Sequence, residues 1–276
     1  MKISIVTNAF NQARFLASAM ESVLSQEWPD VVYMVVYPGS TDETPDVIRA
    51  FNAKYPGRII HIQERDGGPA DGLNKAFARA TGDLFGYLNA DDVYLPGCLR
   101  AAVAAAERHP KCAAIYGDGF RADEKGTLGR RVISTRFNPR LFVYGGALVL
   151  QQSTFYRADA FRAIGGFNTA NRTSWDAELL LQMSLRGMQL VHVHGYWSVF
   201  RIHPESITGS QRLHNESRAT HARYFRTVMG RDRTTLDEVL RRIVFGYSCL
   251  REPRATALRV VDRVATMDLG LPRRSI

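Results

Sequence analysis

Two adjacent carboxylates, Asp91 and Asp92, follow Asn89-Ala90 directly after an apolar run at residues 84–88. The run reads as a buried strand, and the carboxyl end of a strand in an open α/β sheet is where ligands bind. Paired carboxylates there suit Mg²⁺ or Mn²⁺, which take one or two protein carboxylates and complete their shells with water and phosphate oxygens. The same pair also suits a plain strand end or a helix cap. Asp176 and Glu178 open the helical pattern at 176–186, where a carboxylate serves as a cap and meets the positive end of the helix dipole. His192 and His194 stand two apart on one strand face, a spacing that suits a metal, with no third ligand visible in the sequence. Cys98, Cys112 and Cys249 are odd in number and lack CxxC pairing, which leaves them as reduced structural thiols.

The elements that must position these groups alternate. Strand patterns at 3–7, 31–36, 59–62 and 84–88 are separated by helical spacings. Phe15, Leu16, Ala19, Met20, Val23 and Leu24 repeat on one helix face, Thr44-Pro45 opens a second helix, and Leu73, Ala76, Phe77 and Ala80 mark a third. That order predicts an α/β fold with a mostly parallel, helix-covered sheet whose loops converge on one edge. Further on, a helix is expected over 96–109, a strand at 113–116 with a glycine-rich excursion to 131, and a strand over 148–157. Strands are also expected at 190–194 and 197–202. Leu236, Val239, Leu240, Ile243, Val244 and Tyr247 form an amphipathic stripe, with Thr235 and Glu238 as its capping box.

A chain of 276 residues with 45% hydrophobic and 23% charged content has enough length for a real core. It has no run of 18 apolar residues, and its first residues are too short an apolar stretch for a secretory segment, so a cytoplasmic protein is expected. The net charge of +9 is uneven: residues 211–276 hold 14 Arg against 7 acidic residues. No basic motif interleaved with aromatics appears, so no nucleic-acid partner is expected.

Several segments resemble the family 2 glycosyltransferases of the GT-A fold. They are IVTNAFNQARFLASAMESVLSQ (5–26), PGSTDETPDVI (38–48) and RDGGPADGLNKAFARATGDLFGYLNADD (65–92), then QQSTFYR (151–157), GGFN (165–168), SWDAELLLQMSLRG (174–187) and FRIHPESIT (200–208). The resemblance implies an inverting transfer of sugar from a nucleotide-diphosphate sugar to a hydroxyl acceptor in polysaccharide, glycolipid or other glycoconjugate synthesis. It implies a divalent metal cofactor, Mn²⁺ or Mg²⁺, with Asp92 as ligand, Asp91 positioning ribose or water, and His203 completing the metal or diphosphate shell. It makes Asp176 the general base with Glu178 near it, and places Thr7, Asn11 and Asp42 near the donor nucleotide. Asp71 and Asn74, at the start of the helix after Gly67-Gly68, would approach the nucleotide or sugar. The processive QxxRW motif is absent, which favours single-sugar transfer.

One departure bears on the donor. Most of the family has an Asp that hydrogen-bonds uracil where this chain has Tyr37, whose ring would stack on a base or donate its hydroxyl. UDP is favoured as the carrier, with GDP and dTDP open. Two rivals share the acidic strand end: a sugar-phosphate nucleotidyltransferase, which would begin with a Gly-rich loop where this chain has Asn8-Ala9-Phe10-Asn11, and a non-catalytic sugar-binding relative. The expected layout is a nucleotide-sugar half (1–95), an acceptor half (96–208) and a basic helical extension (209–276). Arg212, Arg218, Arg223, Arg226, Arg241 and Arg242 of that extension suit anionic lipid at the inner membrane face, and with it a lipid-linked acceptor.

Overall fold

The computed structural model describes residues 1–210 and 212–268. Its first third is the expected alternation: β1 (Ile3–Asn8), α1 (Ala13–Leu24), β2 (Val31–Tyr37), α2 (Thr44–Lys54), β3 (Ile59–Gln63), α3 (Pro69–Arg79) and β4 (Leu84–Asn89). These four strands are parallel, in the order β3-β2-β1-β4. After them come β5 (Val93–Tyr94), α4 (Cys98–Arg108), β6 (Cys112–Ala122), β7 (Leu128–Val132) and α5 (Pro139–Val143). A 3₁₀ turn (Gln151–Ser153) leads into β8 (Thr154–Arg157), α6 (Ala158–Ile164), α7 (Trp175–Leu185) and β9 (Gln189–Arg201). The sheet continues from β4 through β8, β6 and β9 to β5, and β7 pairs with β6. Helices α8 (Ile207–Ser210), α9 (His214–Met229), α10 (Thr235–Arg251) and α11 (Pro253–Asp268) complete the described chain.

Side chains that alternate along each strand build two cores. Ile3, Ile5, Tyr33, Val35, Leu84 and Leu88 face α1, α2 and α4. Val6, Met34, Val36, Phe85 and Tyr87 face α3, α6 and α7. The strands of the parallel half are buried on both faces, as in sheets covered by crossover helices. At Gly86 a Cβ would stand 2.7 Å from the Phe155 ring, so β4 and β8 pack this closely only around a glycine.

The structure departs from the sequence reading at four places. The strand expected over 148–157 is regular only at Thr154–Arg157, because Gln151 and Gln152 turn their amides back toward β4 and Asp92 in a 3₁₀ turn. The two strands expected at 190–194 and 197–202 are one, β9, whose register shifts against β6 around Asp118 absorb the Gly195-Tyr196 irregularity. The α10 capping box is formed by Thr234 and Asp237, one residue earlier than expected. Asp237 wins this role because Arg231 and Tyr144 bind the same carboxylate, at 2.7 and 2.6 Å. Lastly, four of the six residues of the α10 stripe face outward: Leu240 and Val244 pack against α5 and α9, whereas Leu236, Val239, Ile243 and Tyr247 are exposed.

The basic extension is a docked part of the fold as far as it is described, with residues 211 and 269–276 lying outside the described residues. Val143 and Tyr144 of α5, Leu181 of α7, and Tyr224 and Phe225 of α9 share one small core. Asp262 of α11 binds the backbone and guanidinium of Arg131 on β7 at 2.8 Å each.

Candidate functional site

β1 and β4 are in register at Asn8 and Asn89, and the antiparallel β8 begins beside the end of β4. Residues from four separate segments therefore meet beyond this edge. Asp92 is 1% exposed. One of its oxygens accepts from the Arg201 backbone N–H at 2.9 Å, and the other from Gln152 Nε2 at 2.8 Å and Asn89 Nδ2 at 3.2 Å. Burial, then the neighbouring charge of Asp91, pushes its carboxyl well above the usual range against these hydrogen bonds. Asp91 is the more accessible of the pair, with 15% of its side chain exposed, and its Oδ2 stands 3.0 Å from His203 Nε2. The Phe15 ring packs against His203, with centroids 4.7 Å apart, and under the Arg201 guanidinium at 4.8 Å.

Two buried polar atoms near this edge have no hydrogen-bond partner: Asn8 Oδ1 and Arg201 Nε. Buried polar atoms left unpaired in this way mark a place where a ligand completes the bonding. The residues also fit a divalent cation. Asp91 Oδ2 and His203 Nε2 lie 3.0 Å apart, the separation of adjacent ligands on an octahedral ion with bonds of about 2.1 Å. Asp92, with its oxygens already engaged, fits the part of an internal brace for the loop that presents Asp91. A cavity of about 990 Å³ lies at the opposite strand ends, around Gly82, Cys112 and Arg157.

Asp176 is the second residue of α7, and Trp175 before it is anchored in the core beside Tyr87. Burial raises its carboxyl to about 6, opposed by hydrogen bonds from the N–H groups of Ala177 and Asp176 itself. Burial, and then the charge of Asp176, pushes the Tyr87 hydroxyl well above its ordinary value. The start of α7 is locked from outside. The Tyr224 hydroxyl of α9 donates to the Ser174 carbonyl at 2.9 Å and accepts from Asn171 Nδ2 at 2.7 Å.

Several residues expected at the site, as donor contacts or, for Glu178, beside the base, also make bonds that hold the framework. Thr7 is fully buried and accepts from the Tyr33 hydroxyl at 3.0 Å. Tyr37 is 6% exposed, packs in the core, and its hydroxyl donates to Gln63 Oε1 at 3.1 Å. Asp42 accepts from the N–H groups of Ala13 and Thr44 at 2.9 and 3.0 Å, tying together the starts of α1 and α2. Asn74 makes two bonds to the backbone of Phe167, at 2.7 and 2.9 Å, and so holds the GGFN loop. Glu178, near Asp176, binds Asn168, Asn171 and Arg223 and is an anchor for α7. Asp71 closes its own turn through Gly67 N–H and Lys75. Asn11, with φ of 52°, adopts the left-handed conformation that Asn tolerates. Its amide oxygen accepts from Thr41 N–H at 2.8 Å, latching the first loop to the second.

Arg201, Gln151 and Gln152 are the residues the sequence reading left without a role. The signal was present in the QQSTFYR and FRIHPESIT segments, but only the fold brings them to Asn89 and Asp92.

The sheet order and the site at its carboxyl edge define a GT-A fold, which solved structures share. The mannosyltransferase PcManGT from Pyrobaculum calidifontis, in complex with GDP-Man and Mn²⁺, aligns over 98% of this chain and 76% of its own, with TM-score 0.63 and 18% identity. TarS 1-349 from S. aureus, in complex with UDP-GlcNAc, aligns over 91% and 72%, with TM-score 0.61 and 15% identity. Residues 4–165 match the model of glycosyl transferase family 2, more than half of the chain, and the protein belongs to that family. Among its relatives, the putative glycosyltransferase EpsE of Bacillus subtilis is 30% identical over 174 residues, 62% of each chain. The PGL/p-HBAD biosynthesis glycosyltransferase of Mycobacterium bovis is 30% identical over 186 residues, 63% of this chain and 66% of that one. A Nostoc glycosyltransferase, alr2836, is 39% identical over 103 residues, 37% of this chain and 32% of its own. The matched regions thus span between about a third and two thirds of these relatives' lengths.

Proposed function

We propose that the protein is an inverting, metal-dependent glycosyltransferase that moves one sugar from a nucleoside diphosphate sugar to a hydroxyl of a glycoconjugate acceptor. The observation that carries this reading is Asp91 backed by His203 at 3.0 Å at the carboxyl edge of the sheet, together with Asp176 in the first turn of α7, its carboxyl raised to about 6 by burial. In this reading Asp176 takes the proton of the acceptor hydroxyl, whose oxygen bonds to the anomeric carbon as the bond to the diphosphate breaks on the opposite face. Arg201, held against Phe15 with a free buried Nε, meets the departing diphosphate. A divalent ion, Mn²⁺ or Mg²⁺, held by Asp91 and His203 supplies further charge stabilisation to that leaving group. This moves the proposed ligand from Asp92 to Asp91, because Asp92 is enclosed and both of its oxygens already accept hydrogen bonds.

UDP, GDP and dTDP sugars are all donors to test, since Tyr37 stands where most of the family has an Asp and is largely enclosed. The direct experiment is a donor screen with Mn²⁺ or Mg²⁺, with the anomeric configuration of the product read by NMR. Turnover of a donor to the opposite anomer is expected. Failure of every donor to bind or turn over overturns the enzyme reading, and a retained anomer overturns Asp176 as base.

The acceptor is proposed to be lipid-linked, with the protein lying on anionic lipid through α10. No helix among the described residues is long and apolar enough to cross a membrane. Leu236, Val239, Ile243 and Leu250 form an outward stripe, exposed by 63%, 56%, 62% and 82%, beside the exposed Arg242. An apolar face edged with arginine suits the membrane interface. Arg223, Arg226 and Arg241 are instead paired with Glu178, Asp232 and Glu238, so this reading rests on α10 more than on the six arginines together.

A further inference from the structure

The β6–β9 pair carries a second cluster of ligand-bearing side chains, distinct from the strand-end acids. Asp118 of β6 is buried with its side chain fully enclosed. Its Oδ1 accepts from the Ser134 N–H at 3.0 Å and lies 2.8 Å from His192 Nε2. His194, two residues along β9, is exposed, and its ring meets His192 edge-on with centroids 4.9 Å apart. Each of the three offers a ligand atom, all within 4.8 Å of one another, the one such group of three among the described residues. On β9, Asp118 pairs with Tyr196, five residues before Arg201 and roughly 17 Å from it at strand rise, and His192 and His194 lie further back along the strand, so this cluster is separate from the strand-end acids.

A second observation marks it as a ligand site. Asp118 Oδ2 is buried and has no hydrogen-bond partner. The nearest cation is Arg254 Nη1 of α11 at 3.6 Å, beyond hydrogen-bond reach, on a side chain that is 43% exposed. A buried carboxylate oxygen left in this state is costly, and a cation that reaches it removes the cost.

We propose that Asp118, His192 and His194 form a second divalent-cation site, selective for a zinc-like ion over Mg²⁺. Two imidazoles and one carboxylate match the ligands of Zn²⁺ sites with an open fourth position, whereas Mg²⁺ takes oxygen ligands. Tetrahedral bonds of about 2.0–2.1 Å place ligand atoms roughly 3.3 Å apart. The exposed His194 supplies the required closure by turning on its own side chain, and the two strands need not move. Arg254 and the ion compete for Asp118 Oδ2, so occupancy frees the first turn of α11 from the sheet.

Tag-free protein stripped with chelator is titrated with Zn²⁺ and with Mg²⁺ by calorimetry, and with Co²⁺ by visible absorption. One Zn²⁺ per chain is expected, with tetrahedral Co²⁺ bands and no comparable Mg²⁺ binding at this site. The Zn²⁺ affinity survives Asp91→Ala, which separates it from the catalytic ion. His194→Ala weakens it by at least about tenfold while leaving the melting temperature of the metal-free protein unchanged, and Arg254→Ala strengthens it. Absence of stoichiometric Zn²⁺ binding overturns the proposal, as does binding that persists in both His194→Ala and His192→Ala.

Discussion

Asp176 carries the most direct test at the scale of single residues. Its carboxyl is raised to about 6 by burial against the hydrogen bonds of the helix start, and a general base must be ionised. The rate kcat/KM is therefore expected to rise through pH 6 and level off above it, and Asp176→Asn is expected to retain donor binding and lose transfer. Stability moves the other way. Because the folded value lies above the unfolded one, the group's favourable contribution is complete below the unfolded value near 3.8 and is lost as pH rises through 6. Asp176→Asn should thus melt higher than the wild type at pH 8 and near it at pH 4; equal melting shifts at both pH values would refute the buried-carboxylate account. The acid pair divides similarly. Asp91→Ala should abolish Mn²⁺-dependent donor binding in a folded protein. Asp92→Ala should cost about 2 kcal/mol of stability by stranding the Gln152 amide and the Arg201 N–H, read as a shift in urea midpoint.

At the scale of elements, the parallel half was legible because each of its strands is an apolar run buried on both faces and each crossover helix has a clean apolar side. The acid pair and the helix of Asp176 were legible for the same reason, since they sit where those patterns stop. What could not be read was which polar side chains face outward. Thr7, Asp42, Asn74 and Glu178 stand at strand ends, loops and helix starts that look ready for a ligand, yet each also bonds a partner distant in sequence. Gln151 and Gln152 are the converse, since a run of alternating residues became a 3₁₀ turn to reach β4 and Asp92. The Asn74 clamp gives a prediction. Gly166 has φ of 80° and a Cβ there would come 2.7 Å from Asn74 Oδ1, so Gly166→Ala should destabilise by about 2 kcal/mol. A neutral result in thermal or urea unfolding would show that the GGFN loop yields.

At the scale of the whole molecule, the outward half of α10 sets how the protein meets its surroundings. A triple Leu236→Glu, Ile243→Glu, Leu250→Glu variant should lose co-flotation with phosphatidylserine or phosphatidylglycerol vesicles while keeping its melting temperature, because these side chains contact little in the fold. Retained flotation would reject the lipid face. A dimer in the wild type that the same variant dissolves would assign the stripe to a second copy of the chain.

The bond from Tyr224 to the Ser174 carbonyl has a consequence for where the chain can be cut. Sequence composition divides it near residue 208, and a fragment ending there would keep all the strands of the sheet, the acid pair and Asp176 itself. It would lack the one hydroxyl that pins the turn before Asp176 from outside, along with the Phe225 side of the core that backs Leu181. Such a fragment should still bind a nucleotide diphosphate and yet transfer poorly, and a chain extended through α9 should restore the proposed transfer.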